Sequence, residues 1–183
     1  MGTIKATNIE PIADNGTVTL GSSGDQFTLA TGAKSSFLYP AFEASLSSTQ
    51  SVSNDTTVKI QINSETLDTD NCYDNSSNYR FTPTVAGKYF VYAKARGQSS
   101  GNDLLRDISV MIYKNGSLEI DHTFLFRNNY ERAATPSIFG IVDMNGSSDY
   151  VELYGKITQP TGTPDGFIGG SRFTLFGAYR IGS

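Results

Sequence analysis

Apolar residues in this chain recur at every second position over short runs, and turn-forming residues close each run, which is the repeat of a β-strand and not of a helix. Val58-Lys59-Ile60-Gln61-Ile62 alternates strictly, and Ile108, Val110 and Ile112 form a second stripe. Lys88 to Arg96 goes further, with Tyr89, Val91, Ala93 and Ala95 on one side and Phe90 and Tyr92 on the other, so this strand is expected to be covered on both faces. Leu38 to Ser47, Tyr79 to Pro83, Ser137 to Val142, Tyr150 to Ile157 and Arg172 to Ile181 read as further strands. Lys114-Asn115-Gly116-Ser117 supplies the Asn-Gly pair of a tight hairpin whose second arm runs through Leu118 and Ile120 to Phe124 and Phe126. Asn145-Gly146 marks another turn. Spacing of this kind from Phe37 onward predicts an all-β chain folded as a two-sheet antiparallel sandwich.

Composition agrees. Of 183 residues only 17% are charged, while 18 are Gly and about 40 are Ser or Thr, a mixture that suits strands and turns better than helices. Fourteen basic against eighteen acidic side chains leave a formal charge of −4, the wrong sign for following a phosphate backbone or anionic lipid, so no nucleic-acid partner is expected. The longest apolar run, Tyr89 to Ala93, is far short of the roughly 20 residues of a spanning helix, and no membrane insertion is expected. Residues 1–15 carry no apolar stretch of signal-peptide type. Cys72 is the single cysteine, so no disulfide forms within the chain, and the five Asn-x-Ser/Thr sequons are taken as a by-product of composition.

Residues 1–37 differ from the rest in being poor in aromatics and rich in Gly, Ser and Thr. Thr17-Val18-Thr19-Leu20 is echoed by Gln26-Phe27-Thr28-Leu29 across a Gly-rich turn. Each copy offers one two-residue apolar face, too little for a core of its own. Three chains wound about an axis would bury Val18, Leu20, Phe27 and Leu29 together, which makes residues 1–37 a β-rich trimeric stalk or anchor and residues 38–183 a separate knob. The alternative for the same stretch is a Gly/Ser-rich tail without a core.

No residue set calls for catalysis or a cofactor. His122 follows Asp121 on one strand, where neighbours point to opposite faces, so the two do not form part of a Ser-His-Asp arrangement. One His and one Cys cannot build a zinc site. Gly166-Phe167-Ile168-Gly169-Gly170 precedes a strand, not a helix, and is expected to be a flexible loop. Asp68, Asp70, Asn71, Asp74 and Asn75 are the best candidates for a calcium ion, yet Tyr73 stands where an EF-hand loop needs Gly and Tyr79 where it needs Glu, so an irregular site or a loop of Asx turns remains. With no Trp present, Tyr73, Tyr79 and Tyr130 are the rings best placed, in or beside polar loops, to meet the face of a sugar.

Residues 38–183 resemble the jelly-roll globular head of the complement first-component q subunit, which shares its fold with tumour necrosis factor. The resemblance rests on four signals in order: Phe81 followed by Gly87 and Tyr89, the hairpin Ile112-Tyr113-Lys114-Asn115-Gly116, the turn and strand Ser148-Asp149-Tyr150-Val151-Glu152-Leu153, and the closing Ser171-Arg172-Phe173. Ser148 stands where the family has Gly, and Leu175 where a Gly follows the closing Phe. The resemblance implies a jelly-roll homotrimer, and the two departures imply a trimer axis altered where the closing strand contributes. The opening Thr3 to Ile12, with Gly16 to Asp25, is similar to the starts of marine bacteriophage virion and fibre proteins.

Taken together these features lead to a non-enzymatic, trimeric phage virion surface protein, made in the host cytoplasm and displayed on the particle as a head decoration or short fibre. Its partners would be other copies of itself, capsid or tail proteins held through residues 1–37, and host glycans bound weakly. A receptor-binding tail-fibre tip and a soluble complement-like lectin are the alternatives, the second weakened by the lack of a collagen-type Gly repeat. A depolymerising enzyme would need two placed carboxylates in a groove, which spacing alone does not reveal.

Overall fold

The computed structural model describes residues 39–127 and 131–182, and every regular element among them is a strand. In chain order these are β1 (Ala41–Ser45), β2 (Val58–Lys59), β3 (Ser64–Asp68), β4 (Tyr73–Asp74), β5 (Arg80–Phe81), β6 (Gly87–Lys94) and β7 (Gly97–Gln98). They continue with β8 (Asp107–Lys114), β9 (Ser117–Leu125), β10 (Ala133–Ala134), β11 (Ser137–Met144), β12 (Val151–Thr158), β13 (Gly166–Phe167) and β14 (Leu175–Gly182). One large sheet runs β11-β6-β14-β1-β3, and the other runs β4-β5-β12-β8-β9 with β2 beside β12. A small sheet, β10-β7-β13, closes one end. Neighbouring strands pair antiparallel throughout.

Register explains the core. Tyr89, Val91 and Ala93 of β6 face inward opposite Val142 and Ile138 of β11, while Ile108, Val110 and Ile112 of β8 lie against Ile157, Gly155 and Leu153 of β12. At the centre an aromatic group bridges the two layers. Phe42 of β1 stacks on Tyr73 of β4 at 4.4 Å and on Phe81 of β5 at 4.6 Å, and Phe176 of β14 meets it edge-on at 5.0 Å. Such pairs add to burial itself, because ring edges and faces carry opposite partial charge.

Residues that carry the resemblance meet in two places. Asn115 (φ 51) and Gly116 (φ 78) form the tight β8–β9 turn, a left-handed pair that Asn and Gly accept without a Cβ clash. The Asn115 amide then donates to Asp149 Oδ1 at 2.8 Å and accepts from the Tyr150 backbone N–H at 3.0 Å, while Lys114 pairs with Asp149 at 3.3 Å. Phe81 and Tyr89 touch at 5.7 Å in the core.

Two expectations are corrected. Gly166 to Gly170 is not a flexible loop: Gly166–Phe167 is strand β13 on β7, and Phe167 exchanges backbone hydrogen bonds with Gln50 at 2.9 and 3.0 Å while its ring is fully buried. Gly166 is required there, since at φ 119 a Cβ would lie 2.1 Å from the Gln50 carbonyl oxygen. The polar stretch from Asp68 to Asn78 likewise contains the end of β3 and all of β4. An edge strand such as β3, exposed along most of its length, carries no apolar alternation to betray it.

Candidate functional site

The outer face of the β11-β6-β14 sheet is built from the residues that alternate with the core. Register aligns Phe139, Tyr92 and Gly177 in one row and Ile141, Phe90 and Tyr179 in the next. Phe90 sits among Tyr179 at 5.5 Å, Phe139 at 6.0 Å and Tyr92 at 6.1 Å. Gly177 leaves room for Tyr92 to lie across the strand, since a Cβ there would come within 2.4 Å of the Tyr92 ring. The Tyr92 hydroxyl then donates to Glu43 Oε2 at 2.8 Å. Burial, followed by the neighbouring Glu43 carboxylate, pushes the Tyr92 phenol well above its ordinary value, so it stays a neutral donor.

Phe139 is 68% exposed and Ile141 59%, which is unusual for two large apolar side chains side by side on one strand. The apolar surface turns the corner of the sandwich. There β9 lies beside β11, linked by His122 Nδ1 donating to the Ser137 carbonyl at 2.8 Å, with Phe124 part-exposed on the His122 side of the strand and Leu118 and Leu125 exposed on the other. The contiguous apolar surface is therefore the β11-β6-β14 face, while β9 carries single exposed apolar side chains on both of its sides.

At the opposite edges of the two large sheets, where β3 and β4 part, a polar cleft of about 520 Å³ opens. Its floor is the β4–β5 turn. Asp74 accepts the backbone N–H groups of Ser76, Ser77 and Asn78 at 2.9 to 3.1 Å, and these hold its carboxyl well below the usual carboxylate range. A carboxyl depressed in this way stabilises the fold above its unfolded value near 3.8 and loses that contribution as pH falls toward the folded value. Thermal melting at about pH 5 and about pH 2.5 is therefore expected to show a larger drop for the natural chain than for Asp74→Ala, whose turn has no carboxylate to protonate.

The sequence-derived candidates separate in the structure. Tyr73 is not available to a sugar, because its ring is stacked in the core and its hydroxyl donates to the Ile62 carbonyl at 2.8 Å. Tyr79, at φ 52, is half-buried at the end of the same turn. Tyr130, Val18, Leu20, Phe27 and Leu29 lie outside the described residues. Of the calcium candidates, Asp68 accepts backbone N–H groups of Cys72 and Tyr73, and Asp70 accepts the hydroxyls of Tyr39 and Thr84. Among the described residues no group of three acidic, His or Cys side chains is placed to hold a metal ion. Cys72 is buried, and desolvation pushes its thiol up, away from the reactive thiolate. His122 stacks edge-on to Phe124 at 4.8 Å, while Asp121 points to the other side of the strand.

No protein-family model matches the chain, and no curated protein matches it in sequence. Solved structures do. The globular domain of the zebrafish complement 1qA protein is 14% identical, with 78% of this chain and 96% of that chain aligned at a TM-score of 0.54. Murine APRIL is 8% identical over 77% and 99% of the two chains, at 0.56. Eiger TNF from S. frugiperda is 10% identical over 79% and 94%, at 0.52. The fold is thus the jelly roll of the complement-q globular domain and of tumour-necrosis-factor-like proteins, as the ordered motifs imply. Among the described residues no helix is long and apolar enough to cross a membrane.

Proposed function

We propose that this chain is a non-enzymatic homotrimeric surface protein of a bacteriophage particle, whose knob, residues 38–183, self-associates through the aromatic sheet face. One observation carries the self-association. β6 is patterned for burial on both sides, yet among the described residues only its Tyr89, Val91 and Ala93 side is covered, while Phe90 and Tyr92 are part-exposed beside Phe139 and Ile141. A second copy is the cover that such a face fits. In a ring of three the contact is heterologous, so the aromatic face of one copy would meet a different surface of the next. The trimer that the resemblance implies supports a ring of three.

Residues 1–37 serve in this reading as the anchor, where three chains wound about an axis would bury Val18, Leu20, Phe27 and Leu29, with capsid or tail proteins as partners. The similarity of the opening residues to phage virion and fibre proteins supports that placement. The knob then faces outward and touches host glycans weakly, its three copies adding avidity. The test is decoration of particles by added protein, read by mass spectrometry of purified virions. Full-length chain is expected to load and chain lacking residues 1–37 to remain in solution. Equal loading of both would remove the anchor, and loading of neither would remove the virion assignment.

A further inference from the structure

We propose that the cleft between β3 and the β4–β5 turn binds a neutral saccharide, an inference that rests on the reading of the knob as a glycan-contacting module. The volume, about 520 Å³, falls within the range of small-ligand sites. Its chemistry selects the ligand class. Asn71, Asn75 and Asn78 present amides, Asp74 and Glu65 carboxylates, and Arg80 the one cation. Adjacent sugar hydroxyls each donate and accept, and planar amides and carboxylates match that pairing, because their two polar atoms stand side by side.

Three further observations sharpen this. The Asp74 carboxylate is saturated by its own turn, accepting three backbone N–H groups, the Ser76 hydroxyl and the Asn78 amide, so it shapes a rigid floor and leaves Glu65, Asn71 and Asn75 to meet a ligand. Among the described residues the side chains of Asn75 and Glu65 make no hydrogen bond within the chain, and both line the cleft. Two carboxylates against one guanidinium, in a chain of formal charge −4, repel an acidic ligand and favour a neutral one.

The cleft also leads onto aromatic rings. The Arg80 guanidinium lies 4.4 Å from the centre of the Tyr150 ring, and Lys59, which donates to the Asn78 carbonyl at 3.1 Å and pairs with Glu152 at 2.6 Å, approaches Tyr154. Tyr154 in turn stacks on Tyr113 at 4.2 Å. Tyr113, Tyr150 and Tyr154 are all part-exposed, so a row of rings continues from the hydroxyl-matching cleft along the outer face of β12 and β8. Polar atoms for hydroxyls beside the part-exposed edges of these rings for C–H groups are what an oligosaccharide requires and what a free anion or an apolar peptide does not.

The experiment uses the full chain, fluorescently labelled, on a surface bearing neutral oligosaccharides (glucans, mannans, galactans and N-acetylglucosamine oligomers) beside sulfated and sialylated ones. Dense display makes weak contacts readable. Binding is expected to at least one neutral class, and to fall at least tenfold in Glu65→Ala/Asn75→Ala, a variant that removes no internal hydrogen bond. Binding to acidic sugars alone, to no sugar at all, or unchanged in the variant would overturn the proposal. Sedimentation of the same samples keeps it apart from self-association. A trimer that binds no sugar overturns the cleft alone, and a free chain that binds through these residues overturns the trimer alone.

Discussion

Replacing Phe139 and Ile141 together by glutamate is expected to turn the assembly into free chains of 19.8 kDa while leaving the strand signature of the circular dichroism spectrum in place. Both side chains lie on the outer face of β11 and are more than half exposed in the single chain, so the fold itself loses little. Association loses a great deal. Burying a large apolar side chain contributes about 1.5–3 kcal/mol, so two of them at each contact correspond to roughly 10²–10⁴-fold in affinity, before the cost of desolvating a new carboxylate is counted. Size-exclusion chromatography with light scattering at micromolar concentration reads the result. A variant that still elutes as the natural protein does would place the interface elsewhere.

The second large effect is in the core. Phe42→Ala is expected to destabilise the knob by about 3–5 kcal/mol, because the ring stacks on both Tyr73 and Phe81 and is met edge-on by Phe176. Its loss opens a cavity where the two layers meet, and neither sheet can close it without disturbing the β1 register against β14. Against a typical total of about 5–15 kcal/mol this is a large share. Denaturant unfolding at fixed protein concentration measures it, since association adds to apparent stability by mass action. A loss under about 1 kcal/mol would mean that the aromatic group does not hold the layers together.

Where the sequence was legible, one physical rule acted alone. Ile108, Val110 and Ile112 alternate because they share the side of β8 that faces the core, and Asn115-Gly116 names its turn because few residues tolerate two successive positive φ angles. The jelly-roll order followed from motifs whose members touch, Asn115 with Asp149 and Phe81 with Tyr89.

Where it was illegible, tertiary context decided. Nothing local distinguishes Tyr73, which the Phe42 ring draws inward, from Tyr79 six residues on in the same turn region. β13 is too short for any period to show, and its place is set by Gln50 and by a glycine that the close approach demands. The aromatic face was partly legible. Phe90 and Tyr92 signalled cover on the second side of β6, and Phe139 and Ile141 alternate with Ile138 and Val142 in the same manner. What spacing alone could not tell is that no part of the described chain supplies that cover.

The central claim, that the aromatic face of β11, β6 and β14 is closed by other copies of this chain, is tested most directly by native mass spectrometry of the unmodified full-length protein at micromolar concentration. The account predicts one species at three times the 19.8 kDa chain mass. A monodisperse 19.8 kDa species would contradict it, and a dimer would contradict the ring of three, since a second copy alone would then close the face.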